Sequence, residues 1–228
     1  MFSLQSSTPS ALPQPAVNQF NNEQPSSLPP STSPAIISNP YKQFQPLREF
    51  PARALLPLGL GYLWQIQSGA ARTMTWLEDG TVVTLGIWGP GDIVGQALSR
   101  ITPYQIECLT RLEATMYPLD ADPQQLINLL FLYTQQSEEM AVVRGHRRVD
   151  AMLYHFFELL SKKFGRHVET GQLIDLRLTH QDIADSLGTT RVTITRLMKQ
   201  FQDQGIIERR SISQFIFREE ERFWHYEI

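Results

Sequence analysis

The chain has 228 residues, 42 % hydrophobic and 19 % charged, a length that suits one large domain or two modest ones, each with its own core. Its 20 basic and 23 acidic residues leave a formal charge of −3, so no global positive field announces a nucleic-acid partner and any such argument must be local. The single cysteine, Cys108, excludes an intramolecular disulfide, a cysteine zinc cage and a cysteine-ligated iron–sulfur cluster, and fits a reducing cytoplasm.

Residues 1–40 hold eight of the 15 prolines, nine serines and one charged side chain, Glu23, with no sustained helical or strand period. That composition predicts a disordered arm. Met1 to Ser10 carries no lysine or arginine, and Pro9, Pro13 and Pro15 interrupt the residues after it, which argues against a secretory signal. No run approaches the roughly 20 apolar residues that span a bilayer. The expectation is a soluble, cytoplasmic protein with no membrane partner.

Between residues 41 and 122, short apolar runs at 61–66, 81–88 and 114–119 alternate with glycine-marked turns and read as strands. Asp79-Gly80, lying between the first two runs, is a hairpin signal, because it supplies the positive φ of a tight primed turn. Regular spacing predicts a small roll or barrel.

Pro123 is placed to open a helix, and from 124 to 148 there is no proline and one glycine, Gly145. Leu126, Leu130, Tyr133, Ser137 and Met140 alternate spacings of four and three, the seam of a two-helix coiled coil. The segment 123–149 therefore reads as a dimerisation helix, with a helix packed on its own domain as the alternative.

Residues 150–228 read as a separate helical module. Leu153, Phe156, Phe157 and Leu160 recur at helical spacing before a stop at Gly165, and a strand-like run comes next at 173–178. Thr179-His180-Gln181-Asp182 has the form of a capping box, with Asp in place of Glu or Gln. The helix it opens holds Ile183, Ala184 and Leu187 and stops at Gly188; Thr189 and Thr190 can cap a second helix with Val192, Ile194, Leu197 and Met198. A small Ala184 under the crossing, a glycine in the turn and two apolar residues filling the angle make this a helix-turn-helix.

The second helix exposes Arg191, Thr193, Thr195, Arg196 and Lys199. A guanidinium can bond guanine O6 and N7 together, and an apolar Val192 suits the thymine methyl, so each half-site should contain G and T. Arg191, Val192 and Arg196 are the candidate base readers. Thr179, His180, Gln181, Thr190, Thr193 and Lys199 are candidates for positioning on phosphates, the first three at a helix N-terminus. Beyond Gly205, the runs at 206–211 and 214–217 form a candidate hairpin whose Arg209 and Arg210 would lie along the backbone as a wing. No nucleophile, base and orienter come together, and Asp182 and Asp185 on one helix have no metal-ligand spacing; neither catalysis nor a metal site is expected.

A glycine-punctuated roll, a long helix and a winged helix-turn-helix, in that order, resemble the CRP/FNR superfamily of bacterial transcription regulators. The DNA-binding motif, 178–197, is most similar to the nitrogen-regulator branch of cyanobacteria, where an arginine–valine pair replaces the common arginine–glutamate pair. The resemblance implies an α+β fold: an N-terminal β-roll (a double-stranded β-helix of cyclic-nucleotide-binding type) at 41–122, the dimerisation helix, and the DNA-binding domain at 150–228. It implies a palindrome with GTA and TAC arms, read by a homodimer, with double-stranded DNA, a second copy of the chain and RNA polymerase as partners. Pro90-Gly91-Asp92-Ile93-Val94-Gly95 resembles the family's Gly-Asp-x-x-Gly turn. Gln96 stands where cyclic-nucleotide binders of the family carry glutamate, and Tyr104-Gln105 lies near the place of their Arg-Ser; without that arginine a cyclic phosphate lacks its counter-charge, which argues against cyclic AMP. No cofactor is predicted and the effector is unassigned. The competing reading is a ligand- or partner-binding regulatory protein with a degenerate DNA-binding module.

Overall fold

The computed structural model describes residues 46–211 and 214–218; the arm predicted at 1–40 lies outside these residues. The first seven strands are β1 (Arg48–Phe50), β2 (Tyr62–Ser68), β3 (Ala71–Trp76), β4 (Val82–Trp88), β5 (Ile93–Val94), β6 (Gln105–Cys108) and β7 (Leu112–Pro118). They form two antiparallel sheets, ordered β1-β7-β2-β5 and β4-β3-β6. Alternation buries Trp64 and Ile66, Ile106 and Cys108, and Leu112 and Ala114 in one cluster, while Leu63 is buried on the opposite face of β2. Burial pushes the Cys108 thiol up to about 12, so it is an inert core residue.

The Asp79-Gly80 turn forms as a hairpin: Gly80 takes φ +82°, Leu77 N donates to Thr81 O at 2.9 Å, and the Asp79 carboxylate accepts from Thr81 N at 2.9 Å. It joins β3 to β4, however, because β3 intervenes between the runs at 61–66 and 81–88. The side chains of β3 explain its omission from the sequence reading: Arg72, Thr73 and Thr75 are buried polar residues. Each has a partner, since Trp88 Nε1 donates to Thr73 Oγ1 at 3.0 Å, Thr75 Oγ1 donates to Pro103 O at 2.6 Å and Arg72 Nε donates to Glu107 at 2.7 Å.

Asp122 caps helix α1 (Pro123–Gly145), accepting from Gln124 N and Gln125 N at 3.0 and 3.4 Å, with Pro123 at the first helical position. The helix is about 34 Å long. It ends at Gly145, short of the predicted 149, and the chain runs extended through His146 and Arg148 into α2 (Val149–Phe164). The predicted seam also turns. Met140 is 2 % exposed in the chain's own core, Tyr133 stacks on Trp88, Leu126 packs beside Leu63 and Ser137 is half-buried, so these four face the chain itself. The sequence could not choose the face because α1 is apolar on both. Its outer side shows Ile127, Leu130, Phe131 and Val142 at 45, 37, 64 and 66 % exposure.

After α2 come β8 (Gly165–Val168), β9 (Gly171–Asp175), α3 (His180–Leu187), α4 (Arg191–Asp203), β10 (Ile207–Arg209) and β11 (Gln214–Phe217). The four strands make one antiparallel sheet, ordered β10-β11-β9-β8. Leu153, Phe156, Phe157 and Leu160 of α2 are all buried among α3, α4 and that sheet. Gly165 is required where α2 stops, because a Cβ there would stand 2.1 Å from Ser161 O. Among the described residues, no helix is long and apolar enough to cross a membrane.

Candidate nucleic-acid interface

The capping box is fully formed: Asp182 N donates to Thr179 Oγ1 at 3.1 Å, and Thr179 N donates to Asp182 Oδ2 at 2.8 Å. Gly188 ends α3 in the left-handed region at φ +64°. Thr190 then caps α4, its Oγ1 accepting from Thr193 N at 3.2 Å. Ala184, Ile194, Leu197, Met198 and Phe201 are buried between and beneath the two helices, which fixes their crossing.

That burial leaves one arc of α4 outside, carrying Arg191, Val192, Thr195, Arg196 and Lys199, all exposed. Val192 is 79 % exposed, an apolar side chain with nothing of its own to cover. Arg191, Arg196 and Lys199 make no ion pair among the described residues. The hydroxyls and amide expected at phosphates have local partners: Thr190 and Thr193 share a hydrogen bond of 2.9 Å, and Gln181 Nε2 donates to Asp185 at 2.7 Å. His180 Nδ1 meets Thr195 Oγ1 at 2.9 Å and ties the start of α3 to α4. Burial, then the charges of Arg209 and Arg191, hold this imidazole below its ordinary pKa.

A groove of about 460 Å³ opens beside this arc, lined by Arg177, Leu178, Thr179, His180, Gln181, Arg191, Arg209 and Phe215. Arg177, Arg191 and Arg209 bring three guanidinium groups to the N-terminus of α3, where free amides already favour an anion. Arg209 is held over the Phe215 ring, 5.8 Å from its centroid. The sequence reading missed Arg177. Its signal was alternation: Leu176 and Leu178 are buried, so the residue between them points outward. Arg210 is set apart from the groove by its ion pair with Glu208 at 2.8 Å.

Residues 148–223 match the Crp-like helix-turn-helix domain family. Regulatory protein CysR of Synechococcus elongatus is 39 % identical over 193 residues, covering 82 % of this chain and 89 % of that protein. The chain belongs to the CRP/FNR family of transcription regulators. The global nitrogen regulator of Synechocystis sp. is 30 % identical over 155 residues, which is 61 % of this chain and 68 % of that one. FixK2 from Bradyrhizobium japonicum has the same fold, with a TM-score of 0.66 over 78 % of this chain and 95 % of that chain, at 19 % identity.

As a CRP/FNR regulator the protein is a DNA-binding transcription factor and not an enzyme. Its roll, however, is filled by aromatic side chains. Trp64, Trp88 and Tyr104 are buried there. Asp92 of the Gly-Asp-x-x-Gly turn accepts from Gly89 N at 2.6 Å and pairs with Lys163 of α2. Arg144, the cation of α1 that reaches the roll, donates from Nε to Ser186 O at 2.8 Å and also bonds Thr84 O. Asp182 and Asp185 are not solvated acids on a free helix face: both are bound by arginines of the roll.

Proposed function

We propose that the chain is a homodimeric, sequence-specific regulator that reads a palindrome with GTA/TAC-like half-sites through α4. One observation carries this reading: Arg191, Val192 and Arg196 share the exposed arc of a helix whose other side is locked into the core. Two guanidinium forks and one apolar side chain suit G and T in the major groove. Phosphates are the natural occupants of the groove lined by Arg177, Arg191 and Arg209, which orients the helix without specifying sequence.

The dimer surface in this reading is the outer face of α1. Ile127, Leu130, Phe131 and Val142 lie on one side of the helix, and such a stripe needs a cover. A second copy presenting the same face makes a self-complementary interface and sets two α4 helices about 34 Å apart, one turn of B-DNA. RNA polymerase is the further partner this reading carries, and the cytoplasm its place of action.

Selection of bound duplexes from random DNA tests sequence reading and spacing together. The expected product is a two-fold symmetric site with GTA and TAC arms. Recovery of unrelated sequences, with affinity that does not change with salt, would instead support a regulatory protein whose DNA module is degenerate.

A further inference from the structure

Helix α3, which precedes the proposed reading helix, is bolted to the roll by charge. Arg53 binds Asp182 through both nitrogens, Nη1 to Oδ1 at 2.9 Å and Nη2 to Oδ2 at 2.7 Å. Arg72 Nη1 lies 3.3 Å from Asp182 Oδ1 and 3.3 Å from Asp185 Oδ2, while its Nε donates to Glu107 at 2.7 Å. Glu107 also faces Arg53 at 3.5 Å, so two guanidinium groups meet three carboxylates. Four of these five side chains are at most 14 % exposed and Arg53 is at 38 %, which limits screening by salt.

Arg53 has φ +69°, the sole positive value among the described non-glycine residues, and its N donates to Cys108 O at 2.7 Å. A side chain on so unfavourable a backbone is held there by its surroundings. Here the surroundings are a strand of the roll on one side and a carboxylate of the DNA-binding domain on the other.

We infer that Arg53 and Arg72 of the roll are positioning residues for DNA reading: through Asp182 and Asp185 they fix the angle at which α3, and with it α4, stands to the roll and α1. The role rests on the reading of DNA by α4 proposed above. The arrangement leaves Arg191, Val192 and Arg196 exposed, so the clamp does not cover the reading surface. It pre-organises that surface. Two half-sites bound at once demand a fixed separation and angle, whereas a single half-site demands neither.

The test uses the full chain, Arg53→Gln and Asp185→Asn. Asp185 lies outside the capping box, and Arg53→Gln leaves the helix-turn-helix sequence intact. Binding is measured to the selected palindrome and to a duplex carrying one half-site. In parallel, spin labels at Glu78→Cys on the roll and Gln200→Cys on α4, diluted with unlabelled chain, report the distance between them. Both variants are expected to bind the palindrome about ten-fold more weakly, to bind the half-site as the parent does, and to broaden a narrow distance distribution. Palindrome affinity that is unchanged or higher, an equal loss on both duplexes, or weakening without broadening overturns the positioning role. A parent chain indifferent to both duplexes overturns the proposal of DNA reading, and the positioning role with it.

Discussion

Tyr133 of α1 lies flat on Trp88 of β4, with ring centroids 4.5 Å apart and planes 3° from parallel. This stack fixes the rotation of α1 about its axis, because the same turn of the helix cannot offer Tyr133 to the roll and to a partner. Met140, two turns on, points inward as well.

The two faces of α1 should therefore fail differently. Phe131→Glu on the outer face is expected to give a monomer by sedimentation with the fold retained. Met140→Ala on the inner face is expected to lose about 2–5 kcal/mol of stability while the mass in solution stays that of the parent. A monomer from Met140→Ala and a dimer from Phe131→Glu would restore the seam of Leu126, Leu130, Tyr133, Ser137 and Met140.

Base reading and phosphate contact separate in a mutant pair on α4. Arg191→Ala should remove about 1–3 kcal/mol of discrimination between the palindrome and a scrambled duplex, whereas Lys199→Ala should weaken both alike. Competition binding at constant salt measures each. Intact discrimination in Arg191→Ala would remove Arg191 from the readers.

The groove predicts a count of ionic contacts. Arg177→Ala and Arg209→Ala should each lower the slope of log affinity against log salt by about 0.9. Arg210→Ala should leave the slope close to the parent's, because Glu208 already balances that guanidinium at 2.8 Å. If the Arg210 variant moves the slope and the Arg177 variant does not, DNA runs along the wing tip and not through the groove.

His180 carries a pH signature in the free protein. Burial and the neighbouring Arg209 and Arg191 lower its folded pKa below the unfolded value, so the folded state binds fewer protons. Its contribution to stability is complete above the unfolded value, about 6.5, and is lost as the pH falls through the folded one. The denaturation midpoints of the parent and His180→Gln should keep a constant difference from pH 8 to roughly 6.5, then move against the parent on further acidification. A difference that stays level down to about pH 5 rejects this assignment.

The helix-turn-helix was legible because several local rules coincide there. The Thr179–Asp182 box, Gly188 and the Thr190 cap each derive from a named residue type at a fixed offset, and all three appear in the structure. The roll was legible only where strands obey alternation. β3 hid because three of its four buried positions are the polar Arg72, Thr73 and Thr75, whose partners lie 35, 15 and 28 residues away in sequence and are set by the tertiary fold. The inward face of α1 was hidden for a different reason: apolar residues occupy both sides, and tertiary contacts such as the Trp88 ring select one. Asp182 was read correctly as a cap, but nothing near it in sequence announces Arg53.

Asp182 serves two masters with one carboxylate: Oδ2 accepts from Thr179 N at 2.8 Å, and both oxygens engage Arg53. Anyone transplanting 148–218 onto another sensor would carry over a nearly dehydrated acid stripped of its counter-ions. Such a chimera needs a guanidinium supplied by the new scaffold, or a neutral asparagine in that place. The same double duty means that the recipient's surface, and not the linker between the halves, decides whether the graft stands upright.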